Sequence, residues 1–439
     1  MKIVEGFKAA KSLLSRQVPT SNYPISSALR QGLQKMFGTD DPEQVVRQII
    51  SEVQARGDAA LFDLTSRIDG IKLSSLEVRK KEVADAYEEV DRELVSALQL
   101  AAKRIESFHK VQKENIWHGI SGKEAGQMMR PLQRVGVYVP GGTAAYPSTV
   151  LMTALPARAV GVKEVVLATP PRACGKIPPA TLVAADIARV DRIFSIGGAQ
   201  AIAALAFGTE SVPAVDKICG PGNIFVMLAK KQVFGTVDID GIQGPSEVLI
   251  IADENAEAEY CAADLLAQAE HDSLASAILV TTSRKFADVV NQEVGRQLKK
   301  LSRKEVAAEA LERGVIAVVA SLDEAIELAN LYAPEHLCLM MDNAASYIEK
   351  ITNAGCIIAG KNATVVFGDY TAGPSHALPT GGTARFISPL NVSDFVKLTS
   401  VVISDDATLK ELGPAAAIIA RAEGLDAHAR AVEKRLKAE

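Results

Sequence analysis

The sequence predicts an α/β protein of two doubly wound parallel sheets, with a small N-terminal arm and a C-terminal helical tail. From about residue 130 onward, short β-rich runs alternate with glycine turns and small-residue helices, the order that builds a parallel sheet covered by helices. Before that point, apolar residues recur at three and four spacing, the period of an amphipathic helix. With 439 residues, 48% of them hydrophobic, the chain can bury more than one core.

Up to about residue 130 the helical segments are SSALRQGLQKMFG, DPEQVVRQIISEVQARGDAALFDLTSRIDG and KKEVADAYEEVDRELVSALQLAAKRIESFHKVQ. Asp41-Pro42 reads as a helix start, with Asp as N-cap and Pro at the first helical position. Their charges read as solvated faces, and no catalytic signal stands out. His109 and His118 lie in this region and its exit and receive no role.

Three strand, glycine turn and helix units follow: RVGVYVPGG into STVLMTALPARAVG, DRIFSIGGAQAIAALAFG, and VDKICGPGNIFVMLAKKQVFG. Their turns would gather at the carboxyl edge of one sheet, where helix N-termini meet phosphates. None is a G-x-G-x-x-G, and no acid stands where it would claim a ribose. Tight helix-on-strand packing explains the glycines equally well. Tyr138, Gln200 and Asn223, one at each turn, are the side chains in reach of such a ligand; each could instead close its turn onto backbone.

DIDGIQGPSEVLIIAD then places Ser246 at a strand start. A helix from about Ala256 to His271 puts Gln268 and His271 on one face of its last turn, a spacing suited to a metal pair, although a helix C-terminus also welcomes histidine for the dipole alone. In APEHLCLMM, Pro334 ends a helix, so Glu335-His336 sit on a helix-to-strand turn, either as an acid/base pair or as exposed polar groups. The stretch GDYTAGPSHALPTGGTARF, from Gly368 to Phe386, reads as a rigid site loop incompatible with regular helix. Its Asp369 and His376 could ligate a metal, shuttle a proton or cap neighbouring helices. DFVKLTS, ATLKELGPAAAIIARAEGL and DAHARAVEKRLKAE read as helices of a small tail, with Glu423 and His428 around their last connection. Such a tail would pack on another domain or subunit.

A formal charge of −5 without a basic stripe gives no reason to expect nucleic acid or an anionic membrane as partner. The N-terminus lacks a signal-peptide core, and no segment offers the ~18 apolar residues of a membrane span. Five scattered cysteines without a C-x-x-C pair indicate neither a disulfide framework nor a thiolate zinc site. A soluble, cytoplasmic protein is expected. Four of the six histidines, His271, His336, His376 and His428, fall in motif-like stretches.

PGG near residue 141, IGGAQA, GPGN, GPSEV, LLAQAEHD, APEHL, GDYTAGPSHALPTGGTARF and AEGLDAHARAV together resemble the histidinol dehydrogenase family, in order and over nearly the full length. The resemblance implies oxidation of L-histidinol through L-histidinaldehyde to L-histidine, the last steps of histidine biosynthesis, with two molecules of NAD reduced in one zinc-bearing site. It implies Gln268, His271, Asp369 and His428 as zinc ligands and Glu335 and His336 as the acid/base residues. Substrate contacts would be Ser246, Gln268, His271, His336, Asp369, His376, Glu423 and His428, and NAD contacts Tyr138, Gln200 and Asn223. It further implies a homodimer in which the tail histidine completes the partner's site. One departure is Val365, where many members carry an acid; a paralogous zinc- and NAD-dependent dehydrogenase for another small polar alcohol is the alternative. A third reading, from another class, is a metal-bound binding or hydrolytic protein that uses no nicotinamide.

The expected organisation is an arm at 1–24 and a Rossmann-like domain for metal and substrate formed by 25–130 and 240–381. A second Rossmann-like domain, for NAD, would span 131–239, and the helical tail 382–439.

Overall fold

The structure, a computed structural model, describes residues 1–16, 25–116, 125–141 and 145–437. The end of the expected arm, His118 and Gly142 of the PGG motif lie outside the described residues. The strands are β1 (Lys2–Glu5), β2 (Ala125–Pro131), β3 (Arg134–Tyr138), β4 (Glu164–Thr169), β5 (Arg192–Ser195), β6 (Lys217–Cys219), β7 (Asp238–Ile239), β8 (Glu247–Ala252), β9 (Ser276–Thr281), β10 (Val315–Val318), β11 (His336–Met340), β12 (Cys356–Ala359) and β13 (Val396–Val402).

They form a five-stranded sheet in the order β5-β4-β3-β6-β7 and a six-stranded sheet in the order β1-β10-β9-β8-β11-β12. Every pairing in both is parallel. Helices cover both sheets, so the α/β expectation holds. In the five-stranded sheet, Val135, Val137, Val165 and Leu167 face one core, while Tyr138, Val166 and Ala168 face another. In the six-stranded sheet Val248, Ile250 and Leu279 oppose Leu249, Ile251 and Val280 in the same way. Successive residues of a strand point to opposite faces, so near-continuous apolar runs such as EVLIIA belong to strands buried on both sides.

Several local expectations hold. Asp41 caps the helix Pro42–Arg56, its Oδ1 accepting from Glu43 N at 3.0 Å. Others are corrected. The N-terminal arm is an edge strand: β1 pairs in register with β10, Lys2 opposite Val315. Four residues are too few for a period of two to show in the sequence. DFVKLTS leaves a short 3-10 helix at Phe395 and is a strand from Val396 on: Val396–Val402 pairs antiparallel with Ala125–Pro131, Lys397 opposite Arg130, as its Val and Thr content favours. The expected helix to His271 stops at Ala269. The site loop begins helically, since Asp369 lies in the helix Val365–Tyr370, which Thr364 caps.

The packing sets the helices of 42–116 against the five-stranded sheet. The helices Pro42–Arg56 and Asp58–Leu64 bury Val46, Ile49 and Leu61 in one core with Ile202 and Val226. Lys80–Glu89 and Arg92–Ile116 bury Ala86, Leu98 and Ile105 with Leu151 and Leu182 on the other face of the five-stranded sheet. An amphipathic stripe says that a helix must be covered, and not by which sheet.

The helices Asp406–Ala422 and Asp426–Leu436 form a hairpin that buries Gly413, Ala417 and Ala429. Ile418 and Ile419 on it remain 70% and 59% exposed. Among the described residues no helix is long and apolar enough to cross a membrane.

Candidate active site

The two sheets meet at a cleft of about 660 Å³. The five-stranded sheet contributes its carboxyl edge, through Pro140 after β3 and Gly222-Asn223 after β6. The six-stranded sheet contributes its amino edge, through Ser246 just before β8 and Glu335-His336 at the start of β11. Gln268, His271, Asp369 and His376 line the same cleft. Residues from Pro140 to His376, far apart in sequence, are thus brought to one place.

The helix Leu322–Tyr332 ends in the left-handed Ala333 (φ 51°), and the chain turns through Pro334 straight into β11. That bend buries both Glu335 and His336, at 7% and 3% exposure, which disposes of the reading as exposed turn residues. Glu335 Oε2 accepts from Glu247 N at 2.7 Å and from Gln268 Nε2 at 3.5 Å. The His336 ring lies between two carboxylates: Nδ1 is 3.7 Å from Glu335 Oε2, and Nε2 is 3.2 Å from Asp369 Oδ1. Neither ring nitrogen is aligned for a hydrogen bond, so these are charge contacts. Burial pushes the Glu335 carboxyl up to about 7, against the pull of His336. Burial pulls His336 down, but the contact with Asp369 and the charges of Glu335 and Asp369 outweigh it and raise the imidazole to about 9. Burial likewise opposes ionisation of Asp369, yet His336, His376 and His271 hold its carboxyl below the usual range. Two carboxylates and an imidazole in a row, Glu335 and His336 buried and Asp369 half-buried, form a proton-handling group.

Gln268 sits in the last turn of the helix Ala258–Ala269, 1% exposed, and its buried Oε1 has no partner. An unsatisfied buried acceptor on the wall of a cleft is a site awaiting a donor or a cation. His271, just past the helix, is exposed on the rim. Asp369 is held from below, because its helix starts at Thr364, whose Oγ1 donates to Asp264 Oδ1 at 2.6 Å. Val365 is 1% exposed and packs in the core with Leu265 and Ile358, so the departure at this position lies away from the cleft lining. His376 Nδ1 is 2.7 Å from the Asp369 carbonyl oxygen, which can only accept; Nδ1 therefore carries the proton. Its Nε2 lies 3.2 Å from Thr149 Oγ1. Burial lowers the affinity of His376 for a second proton, so the ring is neutral and Nε2 is an acceptor.

On the opposite wall, Asn223 lines the cleft while its Oδ1 caps its helix, accepting from Phe225 N at 3.0 Å and Val226 N at 3.2 Å. The Tyr138 phenol is buried behind the turn before β5's helix, accepting from Gly198 N at 3.1 Å, and burial pushes it up to about 12. Gln200 is 1% exposed with an unpartnered Nε2. Neither of these two lines the cleft. Glu423 and His428 are exposed on the tail hairpin and are not part of the cleft of their own chain.

Several residues at the site escaped the sequence reading. Behind the Gly220-Pro221-Gly222-Asn223 turn, Lys230 donates to Gly220 O at 3.1 Å, to Gln243 Oε1 at 2.9 Å and to Asp240. Asp240 Oδ2 accepts from Gly220 N at 2.7 Å. Gly220 itself has φ +118°, and a Cβ there would lie 2.0 Å from Tyr138 O. The available signal was a lysine inside the apolar helix Ile224–Val233. Since the Lys230 and Asp240 side chains are only 2% and 1% exposed, Lys230→Met should cost about 3–5 kcal/mol by stranding a buried carboxylate. Urea unfolding of the two proteins checks this, and an unchanged midpoint would contradict it.

A family model described as "Histidinol dehydrogenase" matches residues 34–436. The chain is 56% identical to a histidinol dehydrogenase of Dehalococcoides mccartyi (strain CBDB1) over 438 residues, covering 100% of both chains. It is 50% identical to one of Halalkalibacterium halodurans over 405 residues, covering 92% of this chain and 96% of the relative. The crystal structure of histidinol dehydrogenase from Elizabethkingia anophelis superimposes with a TM-score of 0.91 at 37% identity, covering 100% of this chain and 98% of the other. A match of this length, with the buried Glu335-His336 row at its centre, places the chain in the histidinol dehydrogenase family.

Proposed function

We propose that this protein is an enzyme of histidine biosynthesis that oxidises L-histidinol by way of L-histidinaldehyde to L-histidine, with NAD as hydride acceptor in both steps. The observation that carries the reading is the row Glu335, His336, Asp369, facing a cleft whose other wall is the Pro221-Gly222-Asn223 turn. In the first step the alcohol gives its hydroxyl proton to His336 and a hydride from the carbinol carbon to NAD, leaving the aldehyde. In the second, Glu335 takes a proton from water as the water oxygen adds to the carbonyl carbon; the hydrate's anion then gives a hydride to a second NAD and its remaining hydroxyl proton to His336, which has released its first, and becomes the carboxylate. Glu335, raised by burial to about 7, is suited to taking that proton near neutrality. Burial keeps the reactive aldehyde from bulk water between the steps.

Gln268, His271 and Asp369 would hold zinc, with His428 of the partner subunit as the fourth ligand. Among the described residues no three His, Cys, Asp or Glu side chains of one chain close on a metal point. The orphaned Gln268 Oε1 and the N/O character of these donors fit such an ion once the partner's histidine is added. Zinc bound there would supply a fixed point for the substrate's imidazole and amine nitrogens. His336 must be neutral to act as base; an Asp369 engaged as a ligand no longer stabilises the imidazolium. Ser246, His376 and the partner subunit's Glu423 and His428 would complete the substrate pocket. The five-stranded half would carry NAD, with Asn223 at the cleft and Tyr138 and Gln200 shaping the turns; the six-stranded half would carry metal and substrate. The exposed Ile418 and Ile419 of the tail support a homodimer in which the tail is covered. The alternative of another polar alcohol drew on Val365, which lies in the core and so lends it no support.

The test is the yield of NADH per L-histidinol consumed by the zinc-loaded protein, with histidine assayed as product. Two NADH per histidine are expected; no turnover of histidinol with zinc bound would overturn the reading.

A further inference from the structure

Arg16 follows the helix Phe7–Leu14 and reaches into the six-stranded half from the N-terminal segment. Its Nη1 and Nη2 meet the two carboxylate oxygens of Glu247 at 2.7 and 2.6 Å, a fork on a side chain only 6% exposed. Its Nε donates to Tyr332 O at 2.7 Å, and the guanidinium lies 3.9 Å over the Tyr332 ring. On the other side it abuts the Gly381-Gly382 turn, where a Cβ on Gly382 would come within 2.7 Å of Arg16 Cδ. Glu247 Oε1 also accepts from Gly381 N at 3.1 Å. One guanidinium therefore joins four segments: the N-terminal segment, the start of β8, the end of the helix before Glu335, and the turn after His376.

Three of those segments carry the site. Ser246 precedes Glu247, and the Glu247 backbone N–H is the short hydrogen bond that holds the Glu335 carboxylate, the second contact, from Gln268, being 3.5 Å. We propose that Arg16 is a positioning residue for Glu335, acting through Glu247, and that its purpose is to aim that carboxylate at the water of the second oxidation. This rests on the reading of Glu335 as the base for that water. A planar fork suits the task because it fixes the orientation of Glu247 as well as its charge, which an ammonium would not. Without it, Glu247 is a buried carboxylate left with one backbone donor, and it turns toward solvent and takes the first residue of β8 with it. The interconversion of alcohol and aldehyde consumes no water and asks no proton transfer of Glu335, so aldehyde oxidation takes the larger loss.

The experiment compares two reactions of the zinc-loaded full chain: oxidation of L-histidinaldehyde with NAD, and its reduction to L-histidinol with NADH. In Arg16→Met, aldehyde oxidation is expected to fall by about 10²-fold, the scale of a small misplacement of a catalytic group, with aldehyde reduction within about threefold of wild type. Arg16→Lys should recover only part of the loss. If Arg16→Met fails to fold, Arg16→Met with Glu247→Gln removes both charges and should show the same selectivity. Equal loss in both reactions, or loss in neither, overturns the positioning role. Glu335→Gln is measured alongside; unimpaired aldehyde oxidation there would overturn the reading of Glu335, and the proposal with it.

Discussion

Replacing His336 by asparagine is expected to lower the rate of NADH formation from histidinol by about 10²–10⁴-fold, the usual contribution of a positioned general base. The ring is the first side chain of a central strand, 3% exposed, with carboxylates 3.7 and 3.2 Å from its two nitrogens. Strand hydrogen bonds on both sides, to β8 and β12, leave its backbone no freedom to bring a substitute group into place. Asparagine keeps a polar group between Glu335 and Asp369, so the two acids are not left facing an apolar gap. Turnover, zinc content and thermal unfolding measured together decide the matter. A loss of activity that merely followed a loss of zinc would assign His336 to metal retention; a retained rate would remove it from the chemistry.

Mixing two proteins that each form no histidine should restore histidine formation if the tail serves the partner's site. His428→Ala is expected to lose metal and turnover while keeping its fold, because His428 is exposed on a hairpin that packs mainly on itself. Glu335→Gln is expected to lose the second oxidation. In a mixed dimer, the chain with an intact Glu335 receives an intact His428 from its partner, and the other site lacks both. Random exchange of subunits should thus recover about a quarter of the wild-type formation of histidine. Recovery near zero, with exchange shown by a tagged subunit, would mean that each tail serves its own chain.

Much of the site was legible because its signals are local. Glu335-His336 followed from a proline that stops a helix ahead of a β-rich run, and Ser246 from a glycine-proline turn feeding EVLIIA. Asp41 could be read as a cap, and Asn223 as closing its turn onto backbone, for the same reason, since each side-chain oxygen and the N–H groups that donate to it lie within three residues. The helix end expected at His271 was two residues too late because a helix end is decided by side chains that the helix period does not record. Lys230 and Arg16 were passed over altogether. Their partners Asp240 and Glu247 stand 10 and 231 residues away, and nothing in a lysine or an arginine announces that its charge will be buried.

The amino-acid sequence by itself determined the α/β class, the order of strand and glycine turn, and the caps and breaks that deliver each acid, amide and imidazole to an element's end. These depend on backbone preferences and side-chain periods acting over a few residues. Only the tertiary structure decided that the N-terminal helices cover the five-stranded sheet, that Lys2–Glu5 closes the edge of the six-stranded one, and that Arg16 stands behind Glu335. Those choices depend on the fit of surfaces far apart in the chain, where burial rewards any apolar stripe and shape and charge select the partner.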